Sequence, residues 1–235
     1  MKASVLLISY NGARFIKAQV ESILKAIDES DEIIISDDGS TDGTIEIIEL
    51  LQEEYNSIKL VHGNHEGIAS NFSNAYKYSD GDIVFFSDQD DEWLPNKAKL
   101  IKELFSTHPE TKAVMHDAYM CNYNNEISDE KNSIFRLRNP KHGVVRNIIK
   151  STYYGCCMAF RREFIEKHMP LPKKVIAYDQ FLGLCAENEK CACFIYEKLI
   201  KHRLHGSNQS HHLTFLEKIR FRIIISVQYI KHRRN

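Results

Sequence analysis

Within its first ninety residues the chain alternates short β-branched apolar runs with helical stripes, and few folds accept that pattern. Residues 5–8 (Val-Leu-Leu-Ile), 33–35 (Ile-Ile-Ile), 58–61 and 83–86 (Ile-Val-Phe-Phe) have the length and residue types of buried strands. Between them, 13–27 sets Phe15, Ile16, Val20, Ile23, Leu24 and Ile27 on one helical face. Residues 45–51 continue as a helix after a dense turn and N-cap signal, and 68–78 opens a third helix after Gly67. Crossovers of this length join parallel strands and lay helices on both faces of the sheet. The expected fold class is therefore α/β, a Rossmann-like, mostly parallel sheet flanked by helices. In such sheets ligands bind beyond the carboxyl ends of the strands.

The remainder is read more coarsely. Residues 96–105 look helical, 113–116 form a further strand, and 126–141 are polar and aperiodic, a loop lying over the site. A strand over 153–160 leads to a helix near 162–168, another helix opens at Asp179, and 193–196 and 199–203 are two short strands. Residues 215–231 carry Leu216, Ile219, Ile223, Val227 and Ile230 on one helical face, with Arg and Lys opposite. With no repeat, low-complexity tract or Pro/Gly linker, the expected organisation is one domain over 1–214, in halves 1–95 and 96–214, followed by a basic helix over 215–235.

Composition narrows the function classes. Of the 235 residues 43% are hydrophobic, enough for a sizeable core. Lys plus Arg, 31, nearly cancel Asp plus Glu, 32, so no global field attracts nucleic acid. The exception is the segment from Phe215 onward, which is locally basic. The six cysteines lack Cys-x-x-Cys ligand spacing and are expected to be reduced and mostly buried. The apolar run at the N-terminus is too short for a signal peptide, and nowhere do eighteen apolar residues run uninterrupted. The expected location is cytoplasmic, with the basic helix either a peripheral contact on the inner face of the membrane or an ordinary packing helix.

Two acidic turns end two of the strands. Residues 33–35 run into Ser36-Asp37-Asp38-Gly39, and 83–86 into Ser87-Asp88-Gln89-Asp90-Asp91-Glu92-Trp93. Asp88 and Asp90 have the spacing that holds a hard divalent cation, Mg²⁺ or Mn²⁺, which prefers oxygen ligands and takes one or two carboxylates plus phosphate oxygens. Two carboxylate clusters opening on one crevice repel unless a cation or a hydrogen-bond donor satisfies them. A nucleotide supplies both, with base or ribose donors toward Asp37 or Asp38 and a diphosphate–metal unit toward Asp88 and Asp90. Tyr10, ending the first strand, is placed to border or stack on the base. Singly, each residue has a plainer reading: a solvated acidic turn, an N-cap pair, a core-edge aromatic.

In order along the chain, Leu6-Leu7-Ile8-Ser9-Tyr10-Asn11-Gly12, Ile34-Ile35-Ser36-Asp37-Asp38-Gly39-Ser40-Thr41-Asp42-Gly43-Thr44 and Phe86-Ser87-Asp88-Gln89-Asp90-Asp91-Glu92-Trp93-Leu94-Pro95-Asn96-Lys97 resemble three successive signatures of family 2 glycosyltransferases. The Ser-Asp-Gln-Asp-Asp form is similar to the rhamnosyltransferase-like bacterial members. The resemblance implies the GT-A fold, a nucleotide-sugar donor (UDP- or dTDP-linked), a divalent metal at Asp88 and Asp90, and inversion at the anomeric carbon. It makes 1–95 the nucleotide-sugar half and 96–214 the acceptor half, and Ser9, Tyr10, Asn11, Asp37, Asp38 and Asp88 donor-binding residues. The segment 154–162 around Gly155 resembles the stretch lining the sugar and acceptor side. Tyr178-Asp179-Gln180-Phe181 resembles the position of the catalytic base, Asp179, although Tyr178 stands where the family usually has His or Glu. Residues 202–210 resemble a late Arg-x-His-Gly-x-Asn-x-Ser segment, implying Arg203 toward a phosphate and His205 toward the metal or diphosphate. The implied acceptor is a saccharide, often lipid-linked in such enzymes, within surface polysaccharide synthesis.

Two other classes compete. An apolar strand followed by Asp88-Gln89-Asp90 also resembles the nucleophile loop of haloacid-dehalogenase-type phosphatases. That class expects its nucleophile on the first strand and a small residue where Glu92 stands, and leaves Asp37 and Asp38 unexplained. A non-catalytic nucleotide-sugar-binding module is the other, kept open by Tyr178.

Overall fold

The computed structural model describes residues 1–127, 129–204 and 214–233. In chain order the elements are β1 (Ala3–Ser9), α1 (Ile16–Leu24), β2 (Glu32–Asp37), α2 (Thr44–Glu54), β3 (Ile58–His62), α3 (Ile68–Tyr76), β4 (Ile83–Asp88) and β5 (Glu92–Trp93). They continue as α4 (Lys97–Thr107), β6 (Ala113–Cys121), α5 (Ile134–Arg138), α6 (Val144–Ile149), β7 (Met158–Arg161), α7 (Arg162–Ile165), α8 (Tyr178–Glu189), β8 (Ala192–Arg203) and α9 (Phe215–Arg233). The strands form one sheet in the order β3-β2-β1-β4-β7-β6-β8-β5. β1 is buried at all seven positions, as expected of a central parallel strand covered on both faces, which reads as an apolar run rather than an alternation.

Register brings the strand ends into line. Ser9 pairs with Asp37, Ile8 with Asp88, and Asp37 with His62, so β1, β2, β3 and β4 finish at one edge. β7 runs antiparallel to both β4 and β6, while β6 and β8 run parallel to each other. Reversing β7 makes its beginning, not its end, reach that edge, and it carries there the 3₁₀ turn Gly155–Cys157. β8 then delivers His202 and Arg203 to the same place.

Aromatic rings fill the space beneath. Phe72 and Phe86 stack at 4.2 Å, Phe86 meets Phe160 edge-on at 5.1 Å, and Phe85 meets Trp93 at 5.3 Å. Each such buried side chain stabilises by ~1.5–3 kcal/mol relative to exposure.

The second half departs from expectation in four places. The 126–141 stretch is not simply a loop, because α5 inserts Ile134 and Phe135 into the core and Ser133 caps it by accepting from the Arg136 N–H. The sequence pattern misses α6, which spans six residues, too few for a periodic stripe. The two short strands proposed over 193–203 are one long β8. In α9 the predicted apolar stripe faces outward, with Leu216 76% and Ile223 59% exposed, while Ile225 and Tyr229 on the other side are buried. Arg222 Nε donates to the Ile149 carbonyl at 3.0 Å and Gln228 Nε2 to that of Lys174 at 2.9 Å, fixing this orientation. At 3.6 residues per turn Lys218 lies opposite the stripe, while Arg220 and Lys231 flank it on one side and Arg222 and Arg233 on the other.

Candidate active site

Asp37 sits at the end of β2, almost wholly buried. It accepts hydrogen bonds from Ser9 Oγ and Ser40 Oγ, both at 2.6 Å, and from the Gly39 and Ser40 N–H groups at 3.0 and 2.7 Å. Asp38 accepts from the His65 and Gly67 N–H groups at 2.8 and 3.1 Å. The donors that sequence reasoning sought outside the chain for this pair are supplied from within it, which corrects the repulsion argument for this cluster. Asn11, at φ +49°, donates its N–H to Ser40 Oγ at 2.8 Å and accepts from the Thr41 N–H at 2.9 Å. The turns after β1 and β2 are thereby tied together, and Tyr10 stands beside them 58% exposed.

The β1 turn is also tied to the acidic loop. Gln89 accepts from the Tyr10 N–H at 2.9 Å and donates back to the Tyr10 carbonyl at 3.0 Å, a reciprocal amide pair. It packs so closely that a Cβ at Gly12 would lie 2.1 Å from Gln89 Oε1. From α1, Gln19 Nε2 donates to Ser87 Oγ at 2.8 Å and to the Asp88 carbonyl at 2.9 Å. Ser22 Oγ accepts the Trp93 N–H at 2.9 Å. α1 thus grips both ends of the loop.

The Asp91 and Asp88 carboxyl groups of that loop have different surroundings. Asp91 points inward, where His202 Nδ1 donates to Asp91 Oδ1 at 2.7 Å. Burial raises the Asp91 carboxyl, but the imidazolium overrides it and holds the group below the usual range. Burial likewise opposes a charge on His202, and Asp91 more than offsets it, so the imidazole is pushed up to about 9. Tyr154 Oη lies 3.0 Å from the other ring nitrogen. Asp88 is half-buried, and burial together with the charges of Asp91 and Asp90 pushes its carboxyl well above the usual value. Beneath the loop, Lys97 is completely buried, 3.7 Å from the Trp93 ring, and donates to the Cys156 carbonyl at 3.1 Å. Burial pulls its ammonium down to about 8, against the opposing pull of nearby Asp91 and Asp88.

Asp179 faces this loop closely enough that its charge contributes to raising Asp88. It is not the helix cap, which is Ala177. Asp179 Oδ1 accepts the Gln180 N–H at 2.7 Å, and burial pushes the carboxyl upward while Arg138 opposes the shift. Tyr178 packs against Phe72 at 4.9 Å and Phe86 at 5.9 Å. A Cβ at Gly155 would lie 1.9 Å from its hydroxyl, so the glycine is the surface on which that ring rests. Arg203 Nε donates to the Asp90 carbonyl at 3.0 Å and Nη1 to the Tyr123 carbonyl at 2.9 Å, with the guanidinium 5.1 Å over Phe15. His205 lies outside the described residues.

The family profile described as glycosyl transferase family 2 matches residues 4–169, more than half of the chain. The chain belongs to glycosyl transferase family 2. An uncharacterized glycosyltransferase of Nostoc sp. strain PCC 7120 is 31% identical over 218 residues, covering 88% of this chain and 66% of the relative. An Escherichia coli relative, the UDP-Glc:alpha-D-GlcNAc-diphosphoundecaprenol beta-1,3-glucosyltransferase WfgD, is 27% identical over 154 residues, 65% of this chain and 57% of its own length. This chain thus spans less than two thirds of the length of either relative. Among solved structures, S. aureus TarS 1–349 in complex with UDP-GlcNAc superposes with a TM-score of 0.73 at 20% identity, over 97% of this chain and 66% of TarS 1–349. Glucosyl-3-phosphoglycerate synthase of Mycobacterium tuberculosis, bound to Mn²⁺, UDP-Glc and phosphoglyceric acid, gives 0.62 at 16% identity, over 98% and 79%. These structures share the curled α/β sheet flanked by helices, the GT-A fold.

Within that family fold, Ser9, Asp37, Asp88, Gly155 and Arg203 gather at one sheet edge, as their strand ends require. Sequence reasoning missed Gln89, Lys97, Asp91 and His202. The only signal for these four was their place in quoted segments.

Proposed function

We propose that this family member transfers a sugar from a nucleoside-diphosphate sugar to a saccharide acceptor, with inversion at the anomeric carbon. The observation that carries the reading is Asp179: a half-buried carboxylate, used by no helix cap, facing a loop of three carboxylates at the sheet edge. Ser9, Tyr10, Asn11, Asp37 and Asp38 border the nucleoside, Gly155 the sugar, and 1–95 and 96–214 serve as donor and acceptor halves. Asp37 and Asp38 act chiefly as organisers here, since their oxygens already accept donors from the chain. Asp179 takes the proton of the acceptor hydroxyl as that oxygen attacks from the face opposite the diphosphate, assistance of a kind worth about 10²–10⁴-fold.

The residues present fit a divalent cation. Burial and then the charges of Asp91 and Asp90 hold Asp88 above its usual value, and Asp91 Oδ2 is a buried oxygen with no hydrogen-bond partner. An all-oxygen donor set suits Mg²⁺ or Mn²⁺. Asp88 and Asp90 would hold it, with Lys97 and His202 as fixed positive charges behind them. Bound there, the metal supplies charge neutralisation to the leaving diphosphate.

A lipid-linked acceptor and a membrane-surface position belong to the same reading. Support comes from the WfgD description, which places a diphosphoundecaprenol on that enzyme's acceptor, and from the outward apolar stripe of α9 with its flanking cations. No helix among the described residues is long and apolar enough to cross a membrane.

The deciding experiment is a thermal-shift panel of UDP and dTDP, each with and without Mn²⁺. A ligand at a hundred times its dissociation constant stabilises the folded state by about 2.7 kcal/mol. The expected result is a Mn²⁺-dependent shift with one nucleotide, lost in Asp90→Ala. No shift with any nucleotide would overturn the reading.

A further inference from the structure

A second group of donor atoms lies away from the sheet edge, where α9 meets the body. His168 ends the 3₁₀ turn Glu166–His168, Cys185 lies within α8, and His232 sits in the last turn of α9. His168 Nδ1 is 2.8 Å from His232 Nε2, and the donor atoms of all three residues lie within 4.8 Å of one another. His168 is 7% and Cys185 4% exposed. Phe164 meets the His168 ring at 4.6 Å and Phe181 the His232 ring at 5.0 Å, fixing both imidazoles edge-on.

We propose that His168 Nδ1, Cys185 Sγ and His232 Nε2 form a site for one soft divalent transition ion, zinc first, with a fourth position filled by water. Imidazole and thiolate are the ligands zinc takes, at about 2.0 Å to nitrogen and about 2.3 Å to sulfur, which sets tetrahedral ligand atoms about 3.3–3.6 Å apart. The separations here, from 2.8 Å up to 4.8 Å, bracket that range, so side-chain adjustment within the existing packing closes the triangle. Hard Mg²⁺ or Mn²⁺ has no matching donors in this cluster.

The surroundings of His168 favour the metal-ready tautomer. Its Nε2 faces Glu189 Oε1 at 3.4 Å, and Lys167 Nζ lies 3.3 Å from the other oxygen of that carboxylate. A proton on Nε2, on the Glu189 side but short of a formed hydrogen bond, leaves the Nδ1 lone pair facing His232, and a small ring rotation would complete the carboxylate–histidine–metal arrangement that orients ligating imidazoles. Burial keeps both imidazoles neutral, lowering His168 to about 4 and His232 below its usual value, and holds the Cys185 thiol up at about 12. Because zinc takes cysteine as the thiolate and histidine as the neutral imidazole, metal uptake displaces one proton, from Cys185. His232 keeps its proton, which moves from Nε2 to Nδ1. Such an ion would clip the end of α9 to α8.

The test uses the full chain, stripped of metal with a chelator and titrated with Co²⁺ as a spectroscopic stand-in for zinc. The expected result is a thiolate-to-cobalt charge-transfer band and tetrahedral d–d absorption saturating at one equivalent and bleached by zinc. Cys185→Ser, checked for native circular dichroism, abolishes the charge-transfer band, while Asp90→Ala at the sheet edge retains it. No band at stoichiometric Co²⁺, or a band unchanged by Cys185→Ser, overturns the site. Because nothing is read from sugar transfer, the outcome is independent of the proposed activity.

Discussion

In its proposed role as a metal ligand, Asp88 sets function against stability at one residue. Its folded value is raised by burial and by Asp91 and Asp90, so the folded protein binds its proton more tightly than the unfolded chain does. The sign follows: below the unfolded carboxylate value, about 3.9, Asp88 carries no penalty, and the penalty grows as pH rises until the folded group has ionised. Metal-free Asp88→Asn is accordingly expected to melt higher than the parent at neutral pH, with the gap closing toward pH 4, while losing the Mn²⁺-dependent nucleotide shift. Melting curves across that pH range check both halves. Asp179 has a different signature. Asp179→Asn is expected to keep the nucleotide shift and lose transfer by about 10²–10⁴-fold. Loss of binding and transfer together would place it in donor binding instead, and no transfer even in the parent would favour the non-catalytic module.

At the level of elements, β1 to β4 are legible in the sequence with their connections, while β6, β7 and β8 are legible only in outline, their bounds and directions not. β1, β2 and β4 are apolar runs buried on both faces, while β3 at the sheet edge keeps Ile58 and Val61 buried and Lys59 and His62 exposed, so composition and turn residues suffice to find all four. In sequence β8 reads as two strands because Glu197 and Lys198 interrupt its apolar run, at the register shift against β6. Asp88, Asp90 and Asp91 are chemically alike in sequence. Only the turn decides that Asp91 goes inward to a histidine 111 residues away. The apolar stripe of α9 was visible too, but periodicity says which residues share a face, not which face the body covers. The departure at Tyr178 also gains a physical meaning, because that ring lies where a Gly155 side chain would be. Gly155→Ala is expected to cost about 1–3 kcal/mol by overpacking. Pairing it with Tyr178→Phe should recover part of that loss, since the hydroxyl is the nearest obstacle, and equilibrium denaturation of the single and double variants measures it.

For the molecule as a whole, the proposed membrane-surface position turns the outward stripe of α9 toward the lipid. A helix lying in a lipid interface buries its apolar face while its cations meet anionic headgroups. The protein is expected to float with anionic liposomes and to be released by salt. Replacing Ile219, Ile223 and Val227 with Ser should leave it at the bottom of the gradient without altering the nucleotide shift. Flotation unchanged by the substitutions would assign the stripe to another partner.

The seating of β8 between β6 and β5 also has a consequence for how the protein is made. Residues are added from the N-terminus, so the nucleotide-side strands and all three loop carboxylates leave the ribosome before the strand bearing His202 has been synthesised. Until then Asp91 lacks the cation that makes its burial tolerable, and the loop has no reason to adopt its working shape. A nascent chain therefore has the acids of this loop but not the histidine that pairs Asp91, until β8 joins the sheet.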